Sequence, residues 1–216
     1  MEFGKLIKQF VSKSGKEITL QVVEDNDLQL LLDFINRLIQ EDTYIYRETD
    51  SPVTLDEERL WLSKTLEDIA RNDQFYFVAK ADNKIVGVGN IVRGWMRERE
   101  QGTFRMSIDK NYRDQGLGAE MTQVAIDSAK NMGLRILKAW IFADDEKAVY
   151  LAKKMNFIEA GRLPQSIYFK EKYIDEILFF RKLEDIYIPE YGGMKDSETG
   201  DENAPAEIER SDEDIV

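Results

Sequence analysis

The sequence contains neither cysteine nor histidine. Without cysteine the chain forms no disulfide, no thiolate metal site and no acyl-cysteine intermediate. Without histidine it lacks the side chain that most often acts as a general base or a metal ligand near neutral pH. Any chemistry must therefore use carboxylates, tyrosines, water or backbone dipoles, and we expect no bound metal.

Long apolar runs are also missing. The first twenty residues include six charged side chains, which leaves no room for an apolar signal segment. No stretch reaches the roughly twenty apolar residues that a membrane-spanning helix requires. We therefore expect a cytoplasmic protein that has no membrane partner.

The charge of the chain is acidic and unevenly distributed. The formal net charge is −12, and residues 192–216 alone hold nine acidic and two basic side chains. No basic stripe is present, which argues against nucleic acid as a partner, because phosphates are bound through Lys and Arg. A polar acidic run buries too little apolar surface to offset its chain entropy. We therefore predict one folded domain over residues 1–185 and a flexible acidic tail over residues 186–216.

Hydrophobic periodicity predicts a coarse order of elements. An opening hairpin turns at Ser14 and Gly15, and amphipathic helices begin near Asp27 and Thr54. Further strands are predicted over 74–79, 84–92, 101–109, 134–142, 162–169 and 173–182, and further helices over 117–132 and 146–155.

The most informative segment is Met106–Met121, which reads MSIDKNYRDQGLGAEM and joins a strand through a glycine-containing turn to a helix. The first amides of a helix have no internal acceptor, and the helix dipole places partial positive charge there. Residues 113–118 are therefore expected to present N–H groups to a diphosphate. Gly116 and Gly118 would let the backbone approach such a ligand closely.

Two common nucleotide-binding motifs do not fit this segment. A Walker loop needs a lysine after its second glycine, and a dinucleotide fingerprint needs a third glycine where Met121 stands. Another phosphate-bearing ligand is therefore expected. The alternative is a glycine turn that merely joins a strand to a helix.

The segment resembles the Q/R-x-x-G-x-G/A signature of the GNAT acetyltransferases. The residues that match or fill this signature are Arg113, Asp114, Gln115, Gly116, Leu117 and Gly118. The surrounding order is similar too, since apolar Met106 and Ile108 precede it, Tyr112 stands just before it, and Asn156-Phe157 follows a later helix.

The resemblance covers about residues 16–183 and is specific after Gln101. It implies an α+β fold, in which a mixed, mostly antiparallel and strongly twisted sheet of about seven strands is flanked by about four helices. Members of the family commonly dimerise, so a homodimer stays open.

The resemblance implies acetyl-CoA as the co-substrate. Its pyrophosphate would lie on residues 113–118, and its pantetheine arm would pair with Met106 and Ile108 on a strand that splays from its neighbour. The amide of Ile108 would also polarise the thioester oxygen. Asp145 stands where the family usually has an asparagine that bonds the pantetheine arm, although an aspartate can only accept hydrogen bonds.

The groups that transfer protons are less well defined. Ala152 stands where many members have a tyrosine that protonates the leaving thiolate, so no acid is assigned there. Glu100, near the start of the motif strand, is our candidate base, and Tyr150 is our candidate acid. Their structural alternatives are a solvated charge and an exposed aromatic side chain.

The acceptor pocket is expected between residues 41–50 and 169–173. The residues expected to attract a cationic amine are Glu41, Asp42 and Glu48, and the expected walls are Tyr44, Tyr46, Tyr168 and Tyr173. A solvated charged loop is the alternative.

We predict direct transfer of an acetyl group to a primary amine in a ternary complex. The amine belongs to an amino acid, a peptide or protein N-terminus, or a polyamine. Two other readings stay open, namely a catalytically silent acyl-CoA-binding module and a domain that binds a different nucleotide.

Overall fold

The structure, a computed structural model, describes residues 2–41, 43–46 and 51–183. The helices in these ranges are α1 (Leu28–Glu41), α2 (Leu55–Ala70), α3 (Leu117–Asn131) and α4 (Glu146–Lys154). The strands are β1 (Leu6–Val11), β2 (Glu17–Val22), β3 (Gln74–Ala81), β4 (Lys84–Arg93), β5 (Gln101–Ile108), β6 (Ile136–Phe142), β7 (Ile158–Phe169) and β8 (Lys172–Lys182). The predicted tail over residues 186–216 lies outside the described residues.

The described strands form one sheet in the order β1-β2-β3-β4-β5-β6-β8-β7. Neighbouring strands are antiparallel except β5 and β6, which run parallel. The predicted mixed, mostly antiparallel α+β fold is therefore confirmed. The described sheet has eight strands where about seven were expected, because β1 of the opening hairpin adds to the edge beside β2.

Local sequence signals place several of these boundaries. Thr54 caps α2, since its hydroxyl accepts from the Glu57 amide at 3.3 Å while the Glu57 carboxylate accepts from the Thr54 amide at 2.8 Å. Asp82 and Asn83 connect β3 to β4 with φ values of 50° and 56°. This left-handed pair matches the twist of a tight hairpin.

The start of α1 agrees with the prediction near Asp27, whereas β7 starts earlier than predicted. The chain makes a short 3-10 turn before α1, in which the Asp27 carboxylate accepts from the Glu24 amide and pairs with Lys80 at 2.5 Å. Strand β7 begins at Ile158 rather than near residue 162, because Ile158 pairs with Phe180 ahead of a bulge in the β7–β8 register. The Glu24–Asp27 contact is local in the sequence, whereas the Ile158–Phe180 pairing is not.

The sheet lies between two apolar cores. Helix α3 packs on one face, where Met121 and Ala125 are fully buried, and α1 and α2 pack on the other through Phe34, Leu38 and Leu62. None of the helices in the described ranges is long and apolar enough to cross a membrane. Helices therefore cover both faces of the sheet.

Candidate active site

Strands β5 and β6 part after a short stretch of pairing. Their register consists of three pairs, which end at Thr103 and Lys138. Strand β5 nevertheless continues to pair with β4 on its other side as far as Ile108. The part of β5 beyond Thr103 therefore borders a split in the sheet.

The backbone of β5 alternates its hydrogen-bonding direction. Just after β5, the Asp109 amide donates to the Val86 carbonyl at 2.9 Å, so the odd-numbered residues of β5 face β4. The N–H and C=O groups of Phe104, Met106 and Ile108 consequently point into the split. Of these, Met106 and Ile108 are the residues that the family resemblance assigns to a pantetheine arm.

A cavity of about 340 Å³ occupies this split. Its walls come from both faces of the sheet, with α1 and residues 44–46 on one side and α4 on the other. Representative lining residues are Leu38, Tyr46, Met106, Trp140, Ala148 and Ala152. The cavity thus connects a face bordered by α3 and α4 to a face bordered by α1.

Unpaired backbone amides lie beside this cavity at the start of α3. The amides of Ala119 and Glu120 donate to the Gly116 carbonyl. The amides of residues 115–118 have no acceptor among the described residues. Because the positive end of the helix dipole lies here too, the turn can bind an anionic diphosphate.

The two glycines of this turn have different structural roles. Gly116 has a φ of 92°, and a Cβ built on it would meet no atom within 4 Å. Gly118 packs closely, since a Cβ there would lie 3.1 Å from the Leu151 side chain. The sequence predicts both as room for a ligand, whereas the structure adds a conformational reason for Gly116 and a packing reason for Gly118.

The side chain of Arg113 points back into the protein. Its Nε donates to the Ile108 carbonyl at 2.9 Å, its Nη1 pairs with Glu41 at 2.5 Å, and its Nη2 lies 3.5 Å from the Thr43 hydroxyl. Arg113 therefore ties β5 to the end of α1 and to the segment that follows α1.

The next two side chains of the motif also fix the turn. Asp114 pairs with Lys147 of α4 at 2.6 Å, and Gln115 bonds to the Ser14 hydroxyl at 2.5 Å and to the Asn111 carbonyl at 2.7 Å. Leu117 is fully buried below the turn. These side chains hold the loop, and its backbone amides stay available.

Asp145 and Ala152 both line the cavity from α4. Asp145 caps this helix, because its Oδ1 accepts from the Ala148 amide at 3.0 Å. Ala152 faces the cavity and offers no proton there.

The structure does not bring Glu100 or Tyr150 to the cavity. Glu100 lies where β5 and β6 still pair and bonds to Arg135 at 3.3 Å. It is about 20 Å from Met106 at roughly 3.3 Å per strand residue. Tyr150 lies on the outer side of α4 and is 68% exposed. Their structural alternatives, a solvated charge and an exposed aromatic, describe them better.

The predicted acceptor loop is only partly described. Tyr44 packs against Phe169 with ring centroids 4.8 Å apart and lines the cavity, while Glu41 is paired with Arg113. Asp42 and Glu48 lie outside the described residues. Tyr168 and Tyr173 pack on each other, away from the cavity.

Sequence reasoning missed a carboxylate beside Tyr46. Glu176 of β8 is only 9% exposed and accepts a hydrogen bond from the Tyr46 hydroxyl. Burial and this hydrogen bond raise the pKa of Tyr46 above its ordinary value. The alternation of β8 carries the signal, because Glu176 stands between Ile174 and Leu178 on one face of the strand.

Comparison with known proteins decides the family. Residues 33–157 match the model of the acetyltransferase (GNAT) family. The chain belongs to this GNAT family. It is thus an acetyltransferase that uses acetyl-CoA, and the free amides and the split described above suit that substrate's pyrophosphate and pantetheine.

Relatives within the GNAT family share about a quarter of its residues. A Bacillus subtilis protein provisionally named as the phosphinothricin acetyltransferase YwnH is 28% identical over 68% of this chain and 88% of its own length. The L-methionine sulfoximine/L-methionine sulfone acetyltransferase of Pseudomonas paraeruginosa is 26% identical over 64% of this chain and 79% of its own. A GNAT acetyltransferase from Streptococcus pneumoniae superposes with a TM-score of 0.69 at 28% identity, covering 76% of this chain and 98% of that one.

Proposed function

We propose that this GNAT protein acetylates the primary amine of a small α-amino acid, by direct transfer from acetyl-CoA in a ternary complex. The observation that carries the proposal is the cavity through the β5–β6 split, which is lined from both faces of the sheet. Donor and acceptor can then approach the same point from opposite sides. Direct attack by the amine fits a chain that has no cysteine thiol to hold an acyl group.

The donor side is assigned to β5, α3 and α4. The amides of residues 115–118 would bind the pyrophosphate, and the pantetheine arm would follow the split along the backbone groups of Ile108 and Met106. Asp145 lines this path, and its carboxylate can accept from an amide of the arm.

The position of the thioester follows from the strand register. Continuing the Thr103–Lys138 pairing places Arg105 level with Trp140, where the acceptor-side groups meet. Ile108 is nearer the pyrophosphate turn than Met106. We therefore place the arm on Ile108 and the thioester oxygen on the amide of Met106, two residues along β5 from the Ile108 amide that the family resemblance implies.

The acceptor side is assigned to α1, residues 44–46 and the face of β5 and β6 that α1 borders. Arg105 is exposed at this end of the cavity and stands 5.3 Å from the centroid of the Tyr46 ring. A guanidinium in this place can bind the carboxylate of an amino acid whose amine points into the split. The names of two relatives support this class, since phosphinothricin and methionine sulfoximine are both α-amino acids.

The leaving group needs little assistance. A thiol with a pKa of about 8.5 departs readily as a thiolate near neutral pH. The alanine at position 152 therefore does not prevent turnover.

The test is release of coenzyme A from acetyl-CoA with α-amino acids, their carboxamides, polyamines and peptides as acceptors. We expect intersecting initial-rate lines for both substrates and a preference for an amino acid over its carboxamide. Arg105→Gln should raise KM for the amino acid about tenfold, as expected for loss of a charged hydrogen bond, and leave KM for the carboxamide unchanged. Arg59→Gln, on the exposed face of α2, is the matched control. Absence of coenzyme A release with every amine would overturn the proposal.

A further inference from the structure

The hydroxyl of Tyr46 lies at the split itself. In the β6–β8 pairing the Ala143 amide donates to the Asp175 carbonyl, so the odd-numbered residues of β6 face β8. The carbonyl of Trp140 therefore points toward β5. It lies 3.4 Å from the Tyr46 hydroxyl, which places that hydroxyl beside the predicted path of the thioester.

Behind Tyr46 stands the buried carboxylate of Glu176. It shares a face with Phe142, its partner in the β6–β8 register, and the Phe142 ring packs 5.0 Å from the ring of Tyr46. The Tyr46 hydroxyl donates to Glu176, so the lone pairs of the tyrosine oxygen remain for a donor in the cavity. Tyr46 is 49% exposed as a residue and lines the cavity from which such a donor would come.

We propose that Tyr46 and Glu176 form the proton relay that activates the acceptor amine. This inference rests on the proposed function. The substrate ammonium gives one N–H proton to the Tyr46 oxygen while the Tyr46 hydroxyl proton passes to Glu176, which leaves a neutral amine, a neutral tyrosine and a protonated glutamate. Tyr46 is then the catalytic residue, and Glu176 acts through it.

The following steps balance around this relay. The neutral nitrogen forms a bond to the thioester carbon, the carbon–sulfur bond breaks, and the sulfur leaves as a thiolate. The nitrogen loses its second proton to water. The proton held by Glu176 returns through Tyr46 to the thiolate, so the products are the amide, coenzyme A thiol and one released proton.

The charges around the relay suit this direction of transfer. Arg105 of β5 is the cation that faces Tyr46, and from the neighbouring strands Glu176 meets the apolar Phe142 and Leu163. Arg162, beside Leu163 on β7, and Asp175, beside Glu176 on β8, pair with each other instead. A protonated Glu176 can donate back to Tyr46, whose own hydroxyl can then turn to the Trp140 carbonyl.

The test compares Tyr46→Phe, Glu176→Gln and the double variant in the intact enzyme. We expect each to lower kcat/KM for the amine about 10²- to 10⁴-fold near pH 7, and the double variant to be no worse than the worse single one, as for residues that act as a unit. Calorimetric Kd values for acetyl-CoA should stay within twofold of the wild-type value. Tyr168→Phe and Asp175→Asn are controls with the same chemical changes outside the cavity.

The pH profile separates a relay from a structural role. The wild type binds the ammonium form and should show a level kcat/KM, whereas variants without the relay need free amine. Their kcat/KM should rise about tenfold per pH unit up to the amine pKa near 10. Variant profiles parallel to the wild type, or a loss of acetyl-CoA binding equal to the loss of rate, would overturn the relay. An inactive wild type would refute the proposed function as well, while active variants would refute the relay alone.

Discussion

Gly116 and Gly118 stand two positions apart and constrain the coenzyme turn in different ways. The left-handed φ of 92° at Gly116 is the feature that a side chain tolerates poorly, although the space around it is empty. The empty space is also where the pyrophosphate is placed. A methyl group at Gly116 should therefore affect both the backbone and the ligand.

Gly116→Ala should destabilise the fold by about 1 kcal/mol and weaken acetyl-CoA binding at least tenfold, because its Cβ enters the diphosphate site. Gly133→Ala is the control, since Gly133 has a φ of 74° with equally empty surroundings at the other end of α3. Thermal unfolding and calorimetric titration measure the two effects. Equal losses of affinity in both variants would contradict the assignment of the diphosphate site.

At the residue scale, the motif was predictable and the relay was not. The amides of residues 115–118 follow from a local glycine pattern, and the outward position of Tyr150 follows from its helical spacing from Ala148 and Ala152. The meeting of Tyr46 with Glu176 joins residues that are 130 positions apart. No local pattern encodes such a contact.

Among the elements, the side chain of Arg113 connects α1 to β5. Arg113 bonds the carbonyl of Ile108 and the carboxylate of Glu41, the last residue of α1. The segment holding Tyr44 and Tyr46 starts directly after α1. We therefore expect this ion pair to position the acceptor side of the site relative to the coenzyme side.

Glu41→Gln keeps the size of the side chain and removes its charge. We expect the free energy of amine binding to become less favourable by about 1 to 2 kcal/mol, which is about a five- to thirtyfold rise in KM for the amine. The change in KM for acetyl-CoA should be smaller. Steady-state kinetics measure both constants. Asp56→Asn removes an exposed ion-pair partner from α2 and should change neither constant; equal rises in both constants for Glu41→Gln would contradict a positioning role for α1.

The elements themselves were largely predictable, and the split was not. Capping at Thr54 and the turn at Asp82-Asn83 are local signals, and both hold. The divergence of β5 from β6 after Thr103 is a tertiary feature, because α3 separates the two strands in the chain. The family resemblance supplied it, whereas periodicity alone did not.

For the molecule as a whole, alkaline pH should weaken folding. Burial, together with the charge of Glu58, raises the pKa of Tyr76 above its ordinary value of 10.0. Above pH 10 the unfolded chain releases this proton and the folded chain keeps it, so stability present below that pH is lost as pH rises. In Tyr76→Phe the unfolding free energy should fall less steeply with pH, by about 1.4 kcal/mol per pH unit. Urea titrations between about pH 10.5 and 12 measure this slope, and identical slopes for the wild type and the variant would contradict this cause.

The domain boundary is a separate prediction at this scale. Removing residues 192–216 should change Tm by less than about 2 °C and leave the Kd for acetyl-CoA unchanged, because the described sheet ends with β8 at Lys182. Truncation after Leu178 is the contrast, since it removes the part of β8 that pairs with Ile136–Ala139 and should unfold the domain. A large fall in Tm for the shorter truncation would show that residues 192–216 pack on the domain.

The measurement that tests the account most directly is a crystal structure with coenzyme A bound. The account predicts the pantetheine arm between β5 and β6, hydrogen-bonded to Ile108 and Met106, with the pyrophosphate on the amides of residues 115–118. It also predicts the sulfur on the side of the cavity that meets Tyr46. Coenzyme A bound elsewhere, or a split filled by side chains in the complex, would contradict it.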